Sequence, residues 1–151
     1  MVTVFRDNVH RHPDKVIFHY EGESWTFRQL EDFSNQVANC FIEQGFKAGD
    51  EVALLLESRP EYVGLWLGLA KAGVIAALVN TNQRSQILVH SVTAIKCKAL
   101  IFGPEFSEGE SPACVLSLGA RVEGKGRLAS VRVCVSVVRL SQAVSLISTH
   151  D

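Results

Sequence analysis

The residues of this chain that could do chemistry are scattered, and their spacing decides what each can do. His10 and His12 stand two apart. Two imidazoles at that spacing converge on a metal only from an extended segment. The surrounding pattern, with Val2, Phe5 and Val9 three and four apart, is that of a short amphipathic helix with Thr3 near its start, on which i and i+2 do not face each other. They are expected to be solvent-exposed histidines near a helix end. His90 lies seven residues before Cys97, and one such pair makes no metal site. The four cysteines, Cys40, Cys97, Cys114 and Cys134, lie 57, 17 and 20 residues apart with no CxxC pair. No secretory signal opens the chain, so reduced, intracellular thiols are expected. Cys40 falls beside an apolar helical stripe and reads as a small core residue. A serine nucleophile would need a G-x-S-x-G elbow, and none is present. The cluster GARVEGKGR at 119–127 resembles a phosphate loop only in Gly124-Lys125-Gly126 and reads as a solvated loop. The turn Asn80-Thr81-Asn82-Gln83-Arg84 follows the carboxyl end of an expected strand, where α/β sheets place ligands. Arg84 could face a substrate there, although helix capping by Thr81 or Asn82 accounts for the same residues. Trp66 reads as core packing, with the wall of a lipid pocket as the alternative.

Positioning falls to the stretch 49–82, GDEVALLLESRPEYVGLWLGLAKAGVIAALVNTN. Residues 51–56 are a short apolar run, the pattern of a strand buried on both faces. Ser58 and Glu61, three apart, form an expected capping box for a helix with Pro60 in its first turn. From 62 to 72 nearly every side is apolar, so the helix should be buried, and Gly73 ends it. Residues 74–79 are a second buried strand. Strand, helix and strand imply a parallel pair with a right-handed crossover. Residues 62–79 are also 18 residues with one charge, Lys71, the lower edge of a membrane span. Lys71 near its centre would cost about 2.5–3.5 kcal/mol on the insertion scale, and Gly73 falls inside the window, so helix then strand fits better. The spacing of Gly64 and Gly68 resembles a GxxxG helix-packing face, but small residues that let the helix sit close on a sheet are the expected reading.

Upstream, 16–20 and the segment resuming at Trp25 suggest a small hairpin around Glu21-Gly22-Glu23-Ser24. Thr26-x-x-Gln29 is a capping box for a helix to about Gln44 that buries Phe27, Leu30, Phe33, Val37 and Phe41, with Gly45 as its C-terminal cap. Downstream, 85–96 reads as a helix with Leu88, Val92 and Ile95 inward, and 99–102 as a third parallel strand. The fold class is therefore α/β: about three parallel strands with flanking helices, plus an N-terminal hairpin. All twelve aromatic residues lie in 1–106, and the last 45 residues turn rich in Val and Ser. There 131–137 alternates as an amphipathic strand, 142–147 is a further possible element, and Gly119, Gly124 and Gly126 are expected to break the path. Two units follow: 1–106, and a divergent tail, 107–151, of the kind that an alternative transcript end, a read-through intron, a frame error or a disordered segment would each give. A net charge of −1 gives no electrostatic case for nucleic acid.

The runs WTFRQLEDFSNQVAN, GDEVALLLESRPEYVGLWLGLAKAGVIAALVNTNQR and KALIFG resemble the N-terminal part of the fatty acid transport proteins, or very-long-chain acyl-CoA synthetases. These are a branch of the adenylate-forming superfamily. The phrase VGLWLGLAKAG followed by NTNxR is rather specific to that branch, and the resemblance covers roughly residues 3–106. It implies a two-step reaction. A fatty acid carboxylate attacks the α-phosphate of ATP-Mg²⁺ to give acyl-adenylate and pyrophosphate, and coenzyme A then displaces AMP. Such chemistry needs a Gly/Ser/Thr-rich loop ending in lysine for the departing phosphates, an acidic residue for the ribose and a late lysine. No T-S-G-T-T-G-x-P-K-type loop is in this chain. The expectation is a truncated N-terminal piece of such a ligase, inactive alone, with no catalytic, cofactor-binding or metal-ligating residue to assign. ATP, Mg²⁺ and coenzyme A would belong to the whole enzyme, as would long- or very-long-chain fatty acids. The alternative is a non-catalytic module that docks on a full-length relative, as a homo- or hetero-associate, or on a membrane. The family implies a membrane-associated parent at the endoplasmic reticulum or plasma membrane, and this chain is expected to start after the membrane-associating segment.

Overall fold

The computed structural model describes residues 1–82, 87, 90, 91, 94, 97–103, 114–124 and 127–139, the last two stretches through their backbone. Helix α1 (Val2–Arg11) buries no residue fully and starts one residue before Thr3. Strands β1 (Val16–Tyr20) and β2 (Glu23–Thr26) form the expected antiparallel hairpin. Its two-residue turn puts Glu21 at φ 49° and Gly22 at φ 83°. Both values are left-handed, the geometry whose twist matches the flanking strands.

Helix α2 (Phe27–Glu43) opens with the capping box read from its sequence. The Gln29 N–H donates to Thr26 Oγ1 at 3.3 Å, and the Thr26 N–H donates to Gln29 Oε1 at 2.7 Å. Thr26→Ala is expected to lower unfolding stability by about 1 kcal/mol, and Thr26→Ser to retain most of it, as measured by urea denaturation. Equal midpoints for wild type and alanine would show that the box contributes nothing. Leu30, Phe33, Val37 and Phe41 are all fully buried, whereas Phe27 is half-buried against the Phe5 ring at 6.0 Å. Gly45, at φ 83°, closes the helix as expected.

The central unit is β3 (Glu51–Leu55), α3 (Pro60–Lys71) and β4 (Ile75–Leu78), followed by β5 (Ala99–Phe102). β3 pairs in parallel with β4 on one side and with β5 on the other. Two sequence expectations change here. The Ser58–Glu61 capping box does not form: Arg59 is the N-cap and offers no side-chain cap bond. Pro60 is the cause, because it forces the residue before it into the extended region (φ −147°, ψ 164°) and itself becomes the first helical residue. That leaves Glu61 one position too early to reach back. Nor is β4 buried on both faces. Val74 and Val79 are buried at its ends, but Ile75 and Leu78 are about half exposed because β4 is an edge strand with a neighbour on one side only.

The sheet has five strands, ordered β4-β3-β5-β7-β6. β6 (Cys114–Gly124) and β7 (Arg127–Arg139) form an antiparallel hairpin, and β7 runs antiparallel to β5. The strand expected at 131–137 falls inside β7. Gly119 does not break the path but pairs with Arg132. Of the helix expected at 85–96, Ile87, His90, Ser91 and Ala94 are helical. Leu88, Val92 and Ile95 lie outside the described residues, as does the element expected at 142–147.

The core forms where α2 and α3 meet the sheet: Phe33, Val37 and Phe41 from α2, Leu65 and Leu69 from α3, and Val52, Leu54 and Ile101 from the strands. Trp25 of β2 closes one end, edge-on to Phe33 at 5.9 Å. Gly64 and Gly68 do permit a close approach, but to helix α2 and not to the sheet. Among the described residues no helix is long and apolar enough to cross a membrane. The 62–79 window is divided between α3 and β4, with Gly73 at φ 74° between them.

Candidate functional site

The carboxyl ends of β3, β4 and β5 are where an open parallel sheet would hold a ligand. Behind β4, Asn80 folds back on itself, its Oδ1 accepting the Asn82 N–H at 2.9 Å. Local turn formation thus engages Asn80 and Asn82, and Arg84 lies outside the described residues. Behind β3 the chain enters α3 through Arg59 and Pro60. A phosphate would seek the free amides of that helix N-terminus. Pro60 has no N–H, and Glu61 brings a carboxylate into the first turn. At α2 the free amides are already engaged, those of Phe27 and Arg28 by the Lys15 and Pro13 carbonyl oxygens and that of Gln29 by Thr26 Oγ1. Neither helix start suits a nucleotide's phosphates, so no step of nucleotide chemistry follows from these residues.

Glu61 is itself unusual. It is 9 % exposed, and its Oε2 is buried with no hydrogen-bond partner. Burial pushes its carboxyl above the ordinary range. A hydrogen bond from its own backbone N–H and the Arg59 charge pull it down, and Glu23 and Glu21 push it up again.

A part-buried polar cluster that sequence reasoning missed is built on Lys71. Its Nζ donates to Glu31 Oε2 at 2.7 Å, Ser34 Oγ at 2.6 Å and Asn35 Oδ1 at 2.8 Å, and lies 5.9 Å from the centre of the Phe5 ring. All three ammonium donors are satisfied, which ties the end of α3 to α2 and α1. The signal was present as Glu31, Ser34 and Asn35 at i, i+3 and i+4 on one helical face. An amine with every donor engaged and an 8 % exposed side chain is a structural pin, not a nucleophile or base. At the amino ends of the strands, Lys98 Nζ bonds Asp50 Oδ1 at 2.6 Å. That bond, with the Lys47 N–H, holds the Asp50 carboxyl below its usual range.

Trp66 is half-buried and lines an open groove of about 420 Å³ with Met1, Phe5, Ile17, Leu30 and Val63. Its walls are almost wholly apolar, and it lies between α1, the hairpin and α3. The other candidates do not converge. His10 and His12 are exposed at the end of α1, and His90 is exposed on its own helical segment. Cys97 is buried, and burial raises its thiol pKa, which makes it inert as a nucleophile. Cys40 is half-buried and accepts a long contact from Gln44 Nε2 at 3.6 Å. In the strand register Cys114 faces Val137 and Cys134 faces Ser117, so the two are not opposite one another. Lys125 and Gly126 lie outside the described residues. Strand β7 follows them, not the helix N-terminus a phosphate loop requires. Among the described residues no three His, Cys, Asp or Glu side chains group to hold a metal ion.

The profile of the AMP-binding enzyme family matches residues 5–148. The chain is 51 % identical over 104 residues to human long-chain fatty acid transport protein 1, covering 68 % of this chain and 16 % of that protein. It is 31 % identical over 127 residues to the medium/long-chain-fatty-acid–CoA ligase FadD6 of Mycobacterium tuberculosis, covering 84 % of this chain and 20 % of that protein. Among solved structures it superposes on the anthranilate CoA ligase AuaEII in complex with anthranoyl-AMP with a TM-score of 0.66 at 28 % identity, over 70 % of this chain and 20 % of that one. The chain thus spans about a fifth or less of the length of these relatives. On the profile match and the shared architecture, this chain belongs to the AMP-binding enzyme family, as an N-terminal part of the adenylate-forming domain homologous to fatty-acid-activating ligases.

Proposed function

We propose that this chain supplies the N-terminal frame of an ATP-dependent fatty acid–CoA ligase and does not by itself make acyl-adenylate. One observation carries the reading. The residues most like the transport proteins build α2, β3, α3 and β4, while the helix starts that could meet phosphates are filled by a capping box, a proline and a glutamate. In this reading residues 1–106 are the frame and 107–151 a divergent extension whose strand β7 pairs with β5 of that frame. ATP, Mg²⁺, coenzyme A and a long- or very-long-chain fatty acid bind to parts of the whole enzyme not represented in this sequence. The whole enzyme is membrane-associated, by analogy with the transport proteins. The test is pyrophosphate release on adding a long-chain fatty acid, ATP and Mg²⁺, with a full-length relative run in parallel. The chain is expected to stay at the buffer blank while the relative turns over. Release above the blank by the chain alone overturns the proposal.

A second reading has its own observation. Ile75 and Leu78 stand about half exposed on edge strand β4, a strand without proline or charge. Edges of that kind pair with other chains. The reading is a non-catalytic module that docks on a full-length relative, and a pull-down with the tagged chain that recovers no such relative would count against it.

A further inference from the structure

Strand β4 ends the sheet, with β3 on one side and no strand among the described residues on the other. Its backbone groups alternate. The Ile75 N–H donates to the Asp50 carbonyl oxygen at 2.7 Å and the Val79 N–H to the Leu54 carbonyl oxygen at 3.0 Å, both toward β3. By the period of two that a strand imposes, Ala77 also faces β3, and Ala76 and Leu78 turn their N–H and C=O groups to the open side. A row of such groups is a template for another strand. Edges are commonly blunted by proline, charge or a bulge. The run IAAL has no proline or charge and keeps an unbroken register with β3. Its Ile75 is 53 % exposed and its Leu78 48 %.

We infer that this edge pairs with the same edge of a second copy of the chain, antiparallel, with the two-fold axis at Ala77. The order of residues along the edge is what singles out a copy of itself. In that register Ala76 stands opposite Leu78 of the second copy, and Leu78 opposite its Ala76. These are the residues whose N–H and C=O groups turn outward, so both pairs are of the hydrogen-bonded kind. Ala77 meets its own counterpart in a non-hydrogen-bonded pair, where side chains across an antiparallel ladder come closest, which suits a small residue. Ile75 falls opposite Val79. Every opposed pair is apolar, and no like charges meet, as they must where a charged edge faces its own copy. A two-fold contact is also closed, so pairing through this edge stops at the dimer. The edge is short and the contact small, so association is expected to be weak and to reverse on dilution. The strand is the one that carries the docking reading above, but the occupant is different, and pairing of two copies needs no relative.

The test is sedimentation equilibrium of the full 151-residue chain under reducing conditions, from low to high micromolar concentration. The mass is expected to rise from 16.6 kDa toward twice that value. Leu78→Lys puts a charge on the edge and is expected to hold the chain as a monomer, with an unchanged circular dichroism spectrum because the side chain is half exposed. Ile42→Lys makes the same kind of change at an exposed apolar residue of α2 and should leave the dimer in place. Ala77→Cys reads the register directly. The closest pair of the ladder lies within reach of a disulfide, so mild oxidation with diamide should link two copies of this variant. The wild-type chain, with its own four cysteines, sets the background, and Leu78→Cys should not exceed it. A chain that stays monomeric at every concentration overturns self-pairing; if a full-length relative still captures that chain, the docking reading stands without it. Self-pairing is also overturned by a dimer that survives Leu78→Lys, by one that Ile42→Lys abolishes equally, or by an Ala77→Cys variant that cross-links no more than wild type or Leu78→Cys.

Discussion

Gly68→Ala is expected to lower the free energy of unfolding by about 1–3 kcal/mol, the range for overpacking a close-packed interior. In an ordinary helix the change would have the opposite sign, since alanine is favoured over glycine by about 1 kcal/mol. The surroundings of Gly68 reverse it. A Cβ at that position would lie 2.5 Å from both Cβ and Cγ1 of Val37 and 2.7 Å from the Ser34 carbonyl oxygen. Val37 is fully buried, its Cβ is fixed by its own backbone, and the Ser34 oxygen belongs to α2 itself. Relief therefore requires the two helices to separate, which loosens every contact between them. At Gly64 the new methyl would meet the Phe33 ring and, at 3.3 Å, Leu30 Cδ1. Leu30 Cδ1 can yield, but Phe33 is a fully buried ring, so Gly64→Ala should cost about as much. Phe33 is also held edge-on by Trp25. Urea denaturation followed by far-ultraviolet circular dichroism would compare the two. If either alanine variant matched or exceeded wild type, close helix contact would not be the reason for the glycines.

The same pair of glycines shows what the sequence can reveal. Their spacing announced a close approach, but the partner they approach is set by tertiary arrangement, and a sheet is as good a guess as a helix from the spacing alone. Local signals translated well where the chain's own chemistry decides the outcome. Thr26 and Gln29 formed their box because both lie within one turn of the groups they satisfy. Gly45 and Gly73 closed their helices because only the left-handed region ends them there. The Ser58–Glu61 box failed for an equally local reason that outranked it: proline's hold on the residue before it fixed the helix start one position later. β4 failed for a non-local one. An apolar run of IAAL reads the same at a sheet's centre as at its edge, and only strand order shows that it has one neighbour.

The candidate site was less legible than the fold. Of the residue types that announce chemistry, His10, His12 and His90 are exposed and apart from one another, and Cys97 is buried. The carboxylate with the most unusual surroundings, Glu61, read as a helix cap. It is buried all the same, and no local pattern in the sequence encodes that. Lys71 is the parallel case: as the single charge in an apolar stretch it argued against a membrane span, but nothing local said where its charge would be met.

That charge sets the second large effect. Lys71→Met should cost about 3–4 kcal/mol, near the lower end of what removing one partner of a buried ion pair costs. The methionine fills the space of the lysine stem, so packing is nearly conserved and the loss reports on charge. Three acceptors are stranded at once: Glu31 Oε2, Ser34 Oγ and Asn35 Oδ1. They do not suffer equally. The Ser34 hydroxyl keeps its own bond to the Glu31 carbonyl at 2.9 Å, and Asn35 is half-buried, within reach of water. Most of the cost falls on the Glu31 carboxylate, 15 % exposed, whose one other cation among the described residues is Arg6 at 3.8 Å. Arg6 is 62 % exposed and well screened, so it should compensate little. Removing the stranded charge should therefore restore stability. Glu31→Leu in the Lys71→Met background is expected to recover about half of the loss or more, because a buried pair replaced as a unit is often close to neutral. A double-mutant cycle would give a coupling energy of roughly 2 kcal/mol, far above what an exposed pair supplies. A Lys71→Met variant within 0.5 kcal/mol of wild type, the range of an ordinary surface substitution, would mean that Phe5 and the apolar faces alone hold α1, α2 and α3 together.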